Sequence, residues 1–362
     1  MSKRAKSHYV KPMTVHETKV AITDFTFGDF KTEEVILSPL GCKLVASPCR
    51  DEAELIDLVH SADFVITQFA PLSSKVIDSM TRARLIVRYG IGVDNVNIDA
   101  ATRKRIPVCN VPDYCVDEVA DHTLALILAL TRQVAHLSAQ VRQGNWRTVV
   151  PLEKMVVLKN KTVGLVGFGR IGREVMQRLR PFKCRFVIHD PGIKRNEIAA
   201  AGAKAASLNE LLQASDIVSL HCPSSPSTRQ LINRDTLRRM RKSALLINVA
   251  RGSVVHQNDL IAALQNGTIA GAGLDVSDPE PINDDSPLLK MESVIITNHV
   301  ASCSVEAIKM LRQCVAETVA MGVRGEPLPN IVNPGAFDKK RPFATPMTEP
   351  RRRLNGKKDV FD

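Results

Sequence analysis

The stretch VGLVGFGRIGREVMQRL (163–179) constrains this chain more than any other. A short apolar strand runs into three glycines, Gly167, Gly169 and Gly172, and REVMQRL then opens a helix. GxGxxG alone is weak, but between a strand and a helix it is the turn of a dinucleotide-binding βαβ unit. The first glycine permits the tight turn, the second lets backbone approach a pyrophosphate, and the third lets helix and strand pack closely. Free amides at the helix start, around Arg170 and Ile171, would face the phosphates, and Arg170 would add positive charge. The next strand ends in RFVIHDP, which puts Asp190 18 residues after Gly172. An acid near that distance hydrogen-bonds the adenosine ribose and repels a 2′-phosphate, so NAD is expected over NADP. Lys194 and Arg195 stand close enough to soften that preference.

The rest of the chain agrees with a parallel sheet. KVAIT (19–23), KLVAS (43–47), DFVIT (63–67), RLIVR (84–88) and IPVCNV (106–111) read as buried strands, with helical stretches such as 51–60 and 74–80 between them. A second alternating block follows, with strands at TVGLVG, RFVIHD, IVSLHC, ALLINV, GAGLDV and VIIT. Such alternation means two doubly wound α/β domains. Between the blocks, 117–144 reads as one long helix closed by Gly144, a plausible bridge between domains. A helix at 304–325 could return to the first block.

Composition narrows the setting. Apolar residues make up 44% of the 362, enough for two cores. No apolar run approaches the roughly 20 residues of a membrane span, and MSKRAKSHYV lacks the apolar stretch of a secretory signal. Eight cysteines without a CxxC pair point to the cytoplasm rather than to disulfides or a metal. The net charge of +11 is concentrated at the ends: residues 1–12 carry four cations and no acid, and 337–362 carry eight against four acids. Both ends read as solvated, unstructured segments, with docking on an anionic partner as the alternative. No nucleic-acid module accompanies them, so direct nucleic-acid binding is not expected.

In open α/β sheets ligands bind past the carboxyl ends of strands. Three chemically apt residues fall there. Arg251 follows ALLINVA, Glu280 lies in DVSDPEP, and His299 ends VIITNH. A guanidinium grips a carboxylate with two parallel bonds. Histidine exchanges a proton near neutral pH, and a carboxylate beside it holds its orientation and favours its protonated form. Taken singly, each has an ordinary structural reading. Together, after a dinucleotide turn, they describe hydride transfer with proton exchange on a 2-oxo or 2-hydroxy acid.

The same residues carry a family resemblance. RYGIGVDNVNIDAA (88–101), NVPDYCVDEVADHTLALILALTR (110–132), VGFGRIG (166–172), LHCP (220–223), INVARGSVV (247–255), LDVSDPEP (274–281) and TNHVAS (297–302) together resemble the D-isomer-specific 2-hydroxyacid dehydrogenases, over about residues 19–335. The resemblance implies that Arg251 holds the substrate carboxylate, His299 is the acid/base and Glu280 is its partner. It also implies that amides of Ile91, Gly92 and Val93 reach the carboxylate and that Asp275 meets the nicotinamide carboxamide. His221, Cys222, Pro223 and Ala250 would line the cofactor.

A flavodoxin-like substrate domain (1–113 and 302–336) and an NAD-binding Rossmann domain (114–301) are expected, with substrate in a cleft between them, a basic tail at 337–362, and a homodimer built through the 117–144 region. The chain resembles most the branch that contains phosphoglycerate dehydrogenases and C-terminal binding protein, a transcriptional corepressor. That branch's animal members place a Trp shortly after the histidine, and VASCS has none. Ser277 and Asn298 also stand where many members have an aromatic residue and a proline. The expected activity is NAD-dependent interconversion of a small 2-oxo acid and its D-2-hydroxy acid, such as the glyoxylate, hydroxypyruvate or phosphoglycerate type. An NAD(H)-responsive scaffold with little turnover is the alternative.

Overall fold

A computed structural model describes residues 17–49 and 51–336. The basic segments at 1–12 and 337–362 lie outside the described residues. The chain divides into two compact units, one running to Val111 and resuming at Leu311, the other spanning Pro112–Met310.

The first unit holds five strands: β1 (Thr18–Ile22), β2 (Cys42–Ala46), β3 (Phe64–Thr67), β4 (Leu85–Arg88) and β5 (Val108–Cys109). All pair in parallel, in the order β2-β1-β3-β4-β5, which is the flavodoxin-like order. The expected apolar runs became these strands, but IPVCNV shortened to two residues. Asn110 and Val111 leave the ladder to hold the next loop, Asn110 Nδ2 donating to Ile91 O and Val111 N to Gly90 O. Asp51 and Ser73 cap the helices Glu52–Val59 and Ser74–Ser79 through backbone amides two or three residues on. Leu55, Val59, Val76 and Ile77 from those helices pack on Ala21, Val65 and Ile86 of the sheet. Each such buried aliphatic side chain contributes roughly 1.5–3 kcal/mol.

The second unit holds β6 (Thr162–Val166), β7 (Arg185–His189), β8 (Lys204–Ala205), β9 (Ile217–Leu220), β10 (Leu245–Asn248), β11 (Gly271–Leu274) and β12 (Val294–Ile296). Their order is β12-β11-β10-β9-β6-β7-β8, all parallel. This is the Rossmann order with one further strand at the β12 edge. β8 was not anticipated, since two residues offer no pattern to read.

The expected single helix over 117–144 is two. Val116–Thr131 and Val134–Arg142 meet at an angle of 64°. Gln133 takes the left-handed conformation (φ 54°) and its side chain donates to Leu130 O, satisfying a carbonyl that the helix would otherwise have bonded. The halves also have different environments. The first buries Val119, Leu126, Ile127 and Leu130, and the second has no fully buried residue among the described residues. No single helix among the described residues is long and apolar enough to cross a membrane.

In the first unit, Glu33 is wholly buried and accepts from Tyr89 Oη (2.9 Å) and from Arg312 Nε and Nη2 (3.0 and 2.7 Å). Burial and the Glu33 carboxylate push the Tyr89 hydroxyl far above its ordinary range. Arg312→Met leaves Glu33 buried without its cation, a loss of about 3–5 kcal/mol. It should lower the urea midpoint, and adding Glu33→Leu should restore most of the loss. A single variant as stable as the parent would show that the pair is dispensable.

Candidate active site

Parallel strands all end on one edge. In the second unit that edge carries, in spatial order, Asp190 after β7, the glycine turn after β6, His221–Pro223 after β9, Ala250 and Arg251 after β10, Asp275 and Glu280 after β11, and His299 after β12. Neighbouring strands lie roughly 4.8 Å apart, so residues remote in sequence form one continuous row.

The glycine turn has the shape its sequence demands. Gly167 sits at φ +96°, and a Cβ there would come within 2.7 Å of Cys222 N and the His221 carbonyl carbon. A Cβ on Gly172 would lie 2.4 Å from Gly167 O, whereas one on Gly169 would meet nothing within 4 Å. Space thus lies open at the amino end of helix Arg170–Leu179, where a pyrophosphate needs it. The Asp190 carboxylate accepts Phe168 N (2.7 Å) and Gly192 N (2.8 Å), which ties the acid to the turn and leaves acceptor capacity for ribose hydroxyls. Asp190, Lys194 and Arg195 line a cavity of about 380 Å³ with His189, Ile198 and Ala206. These features fit a nicotinamide dinucleotide. Arg170 does not point its charge freely as expected, because its guanidinium pairs with Asp113.

The catalytic candidates fall on three adjacent strand ends. Asn248 shapes the turn after β10, accepting from Ala250 N (3.1 Å) and donating to Arg251 O (2.9 Å), while Arg251 Nη1 donates to Ala250 O. A Cβ on Gly252 would lie 1.8 Å from Ser277 O, so the Arg251 turn and the loop leading to Glu280 touch backbone to backbone. His299 Nδ1 is hydrogen-bonded to Glu280 Oε1. His299 adopts φ 57°, and its amide donates to Asp275 O (2.8 Å).

Asp275 is almost wholly buried. Its Oδ1 accepts Thr297 Oγ1 (2.6 Å) and Val300 N (3.0 Å), and its Oδ2 accepts Ala301 N (3.0 Å). Most of its capacity holds the His299 loop, leaving one acceptor position on Oδ2 for the expected carboxamide.

In the first unit, Ile91, Gly92 and Val93 follow β4 as expected. Their carbonyls are engaged at Ile91 and Val93, but their amides donate to no other described residue. Gly90 is at φ +142°, folded over the Arg88 guanidinium.

Comparison with known proteins decides the family. A sequence profile described as D-isomer specific 2-hydroxyacid dehydrogenase, NAD binding domain, matches residues 124–301. A glyoxylate reductase of Korarchaeum cryptofilum is 38% identical over 285 residues, covering 77% of this chain and 85% of that protein. The chain belongs to the D-isomer-specific 2-hydroxyacid dehydrogenases. A D-3-phosphoglycerate dehydrogenase of Methanocaldococcus jannaschii is 35% identical, covering 82% of this chain and 56% of that one. The crystal structure of an Aquifex aeolicus D-lactate dehydrogenase, complexed with NAD and lactic acid, superposes with TM-score 0.78 at 28% identity, covering 87% of this chain and 99% of that one. As a 2-hydroxyacid dehydrogenase the protein is an oxidoreductase of CH–OH groups that uses a nicotinamide cofactor.

Several residues that shape this dehydrogenase site escaped the sequence reading. Asn248, Gly252 and Thr297 each stand beside a candidate, and only Gly252, directly after Arg251, carried a readable signal.

His221 behaves differently from the other candidates. Burial pushes its imidazole from the ordinary 6.5 down to about 3, and Nε2 meets Ser219 Oγ at 2.9 Å while Nδ1 has no partner among the described residues. It is neutral when folded and titrates normally when unfolded. Between these two values the unfolded chain binds the extra proton, so stability is fully present above about pH 6.5 and is lost as pH falls toward 3. His221→Asn should flatten the fall of Tm across acidic pH relative to the parent. An unchanged slope would mean that other groups set it.

Proposed function

We propose that the protein reduces a small 2-oxo acid to its D-2-hydroxy acid with NADH, and catalyses the reverse oxidation. The observation that carries this reading is the Glu280–His299 hydrogen bond, on a loop clamped by Asp275, with Arg251 on the adjoining strand end.

Arg251 would hold the substrate carboxylate. With Nδ1 bonded to Glu280, His299 would meet the substrate oxygen through Nε2. A nicotinamide dinucleotide held at the glycine turn and Asp190 would supply the hydride. His299 supplies the proton to the carbonyl oxygen as the C=O π bond is reduced, and it takes that proton back during oxidation. Asp190 favours NADH, because a 2′-phosphate would face its carboxylate, already fixed by Phe168 N and Gly192 N. The relatives support glyoxylate, hydroxypyruvate and phosphohydroxypyruvate as first substrates to test.

A homodimer completes the proposal. Val134, Val141, Trp146, Val149, Leu152 and Val157 are all large and exposed, Trp146 by 81% and Leu152 by 86%. Such a run of apolar surface marks an interface, and a second copy related by two-fold symmetry would cover it. Eight free thiols support a reducing compartment, the cytoplasm.

NADH consumption against a panel of 2-oxo acids tests the activity. His299→Ala should lower kcat by about 100-fold or more with NADH affinity nearly unchanged, and Asp190→Ala should narrow the preference for NADH over NADPH. An alanine variant with full turnover would remove His299 from the chemistry, and parent enzyme that favours NADPH would overturn the cofactor assignment. Light scattering at micromolar protein should give twice the chain mass; a monomer would refute the dimer.

A further inference from the structure

The clamp on the His299 loop extends one step beyond Asp275. Thr297 Oγ1 lies 2.6 Å from Asp275 Oδ1 and 2.9 Å from His122 Nε2. A threonine hydroxyl has one proton, and a carboxylate only accepts, so the shorter contact takes it. Thr297 must then accept from His122, and His122 carries a proton on Nε2 whatever the state of its Nδ1. The bonds run in one direction, from His122 to Thr297 to Asp275. Asp275 in turn receives Val300 N on Oδ1 and Ala301 N on Oδ2, and its carbonyl receives His299 N.

We infer that His122 is a positioning residue for His299, acting through Thr297 and Asp275. The inference rests on His299 being the acid/base of the reaction. A carboxylate turns broadly about its last torsion, and it can hold two backbone amides only while that torsion is fixed. Thr297 fixes it by donating to Oδ1, and His122 fixes Thr297 by occupying the lone pair through which the hydroxyl could otherwise accept from elsewhere. The helix bearing His122 is itself seated firmly. Leu126 and Leu130, one and two turns on, pack where a Cβ on Gly273 of β11 would lie 3.2 Å from each. His122 therefore belongs to the packed face of the helix rather than to its solvent side, with 22% of its side chain exposed. The relay approaches His299 from the backbone side, and the Glu280 bond from the imidazole side. Loss of the relay should thus misplace the imidazole without removing its partner.

Four single variants, one double variant and a control test this. His122→Leu removes the donor, and His122→Gln keeps an N–H near the same place. Thr297→Val removes the hydroxyl at equal shape, and Thr297→Ser restores it. His122→Leu and Thr297→Val should each lower kcat about tenfold, the worth of one lost hydrogen bond in the transition state, with NADH affinity by fluorescence within about threefold. Gln and Ser should recover most of the rate. The double variant should be no slower than the worse single one, because both residues act in one chain. Nitrogen-15 NMR of the ring should report the Nε2–H form of His122. Parent-like kcat in both removal variants, losses that multiply, losses that Gln and Ser do not rescue, or an Nδ1–H tautomer would overturn the inference. His299→Ala is the control. If it alone keeps full turnover, the acid/base reading fails first; if it is inactive while His122→Leu and Thr297→Val are not, only the relay fails.

Discussion

Everything in the larger unit that could act on a ligand depends on seven parallel strands ending at one edge. Right-handed crossovers return each strand in the same direction, so the loops after β6, β7, β9, β10, β11 and β12 have nowhere to go but side by side. Strand spacing sets their separation, and glycine decides how near they come. At Gly167 the turn after β6 rests on the backbone after β9, and at Gly252 the turn after β10 rests on Ser277. A methyl group at either place would drive two loops apart. The row from Asp190 to His299 is therefore a property of backbone packing before it is a property of side chains.

The smaller unit positions its own loop by a different means. Tyr89, next to the Gly90–Val93 turn, is anchored by its hydroxyl to Glu33, and Glu33 is matched by Arg312. The Phe27 ring packs edge-on against Tyr89, and the Arg312 guanidinium lies over its face. A buried carboxylate with a single cation is costly unless further donors reach it, and here Tyr89 Oη adds a third bond to the two from Arg312. Asn110 then takes Ile91 O from the other side. The turn is held at both ends while its amides donate to no other described residue, an arrangement suited to an anion.

Much of this was legible beforehand because it follows from period and chemistry. Apolar runs bounded by helices became parallel strands, and Arg251, Glu280 and His299 fell beyond successive strand ends because each lies in the loop that follows a strand in sequence. What the sequence did not reveal has physical causes. The helix break at Gln133 carries neither glycine nor proline, and the left-handed residue is stabilised by its own side chain. β8 is too short to have a period. Arg170 stands at the start of the helix as expected, yet its partner Asp113 is 57 residues away in the chain. Asp275 was expected to meet the nicotinamide carboxamide; that most of its bonding holds residues 297–301 was not legible, because only the folded pairing of β11 with β12 brings them beside it.

The Glu280–His299 pair shows which physical effect matters at such a site. Its side chains are 39% and 22% exposed, so water screens much of their mutual attraction. Direction survives screening. With Nδ1 committed to Glu280, a neutral His299 has its unprotonated nitrogen at Nε2, which can accept a proton, and a protonated one has an N–H there that can give it. The imidazole need not turn over between the two directions of the reaction. The left-handed backbone at His299 and the four bonds to Asp275 fix the loop from which the ring projects, while Glu280 fixes the ring itself. An amide in place of Glu280 could still occupy the same space, but it could also rotate and offer an N–H to Nδ1. That would reverse the tautomer and leave Nε2 protonated in the neutral state. The acid is therefore the side chain that specifies one tautomer, because it has only acceptors to offer.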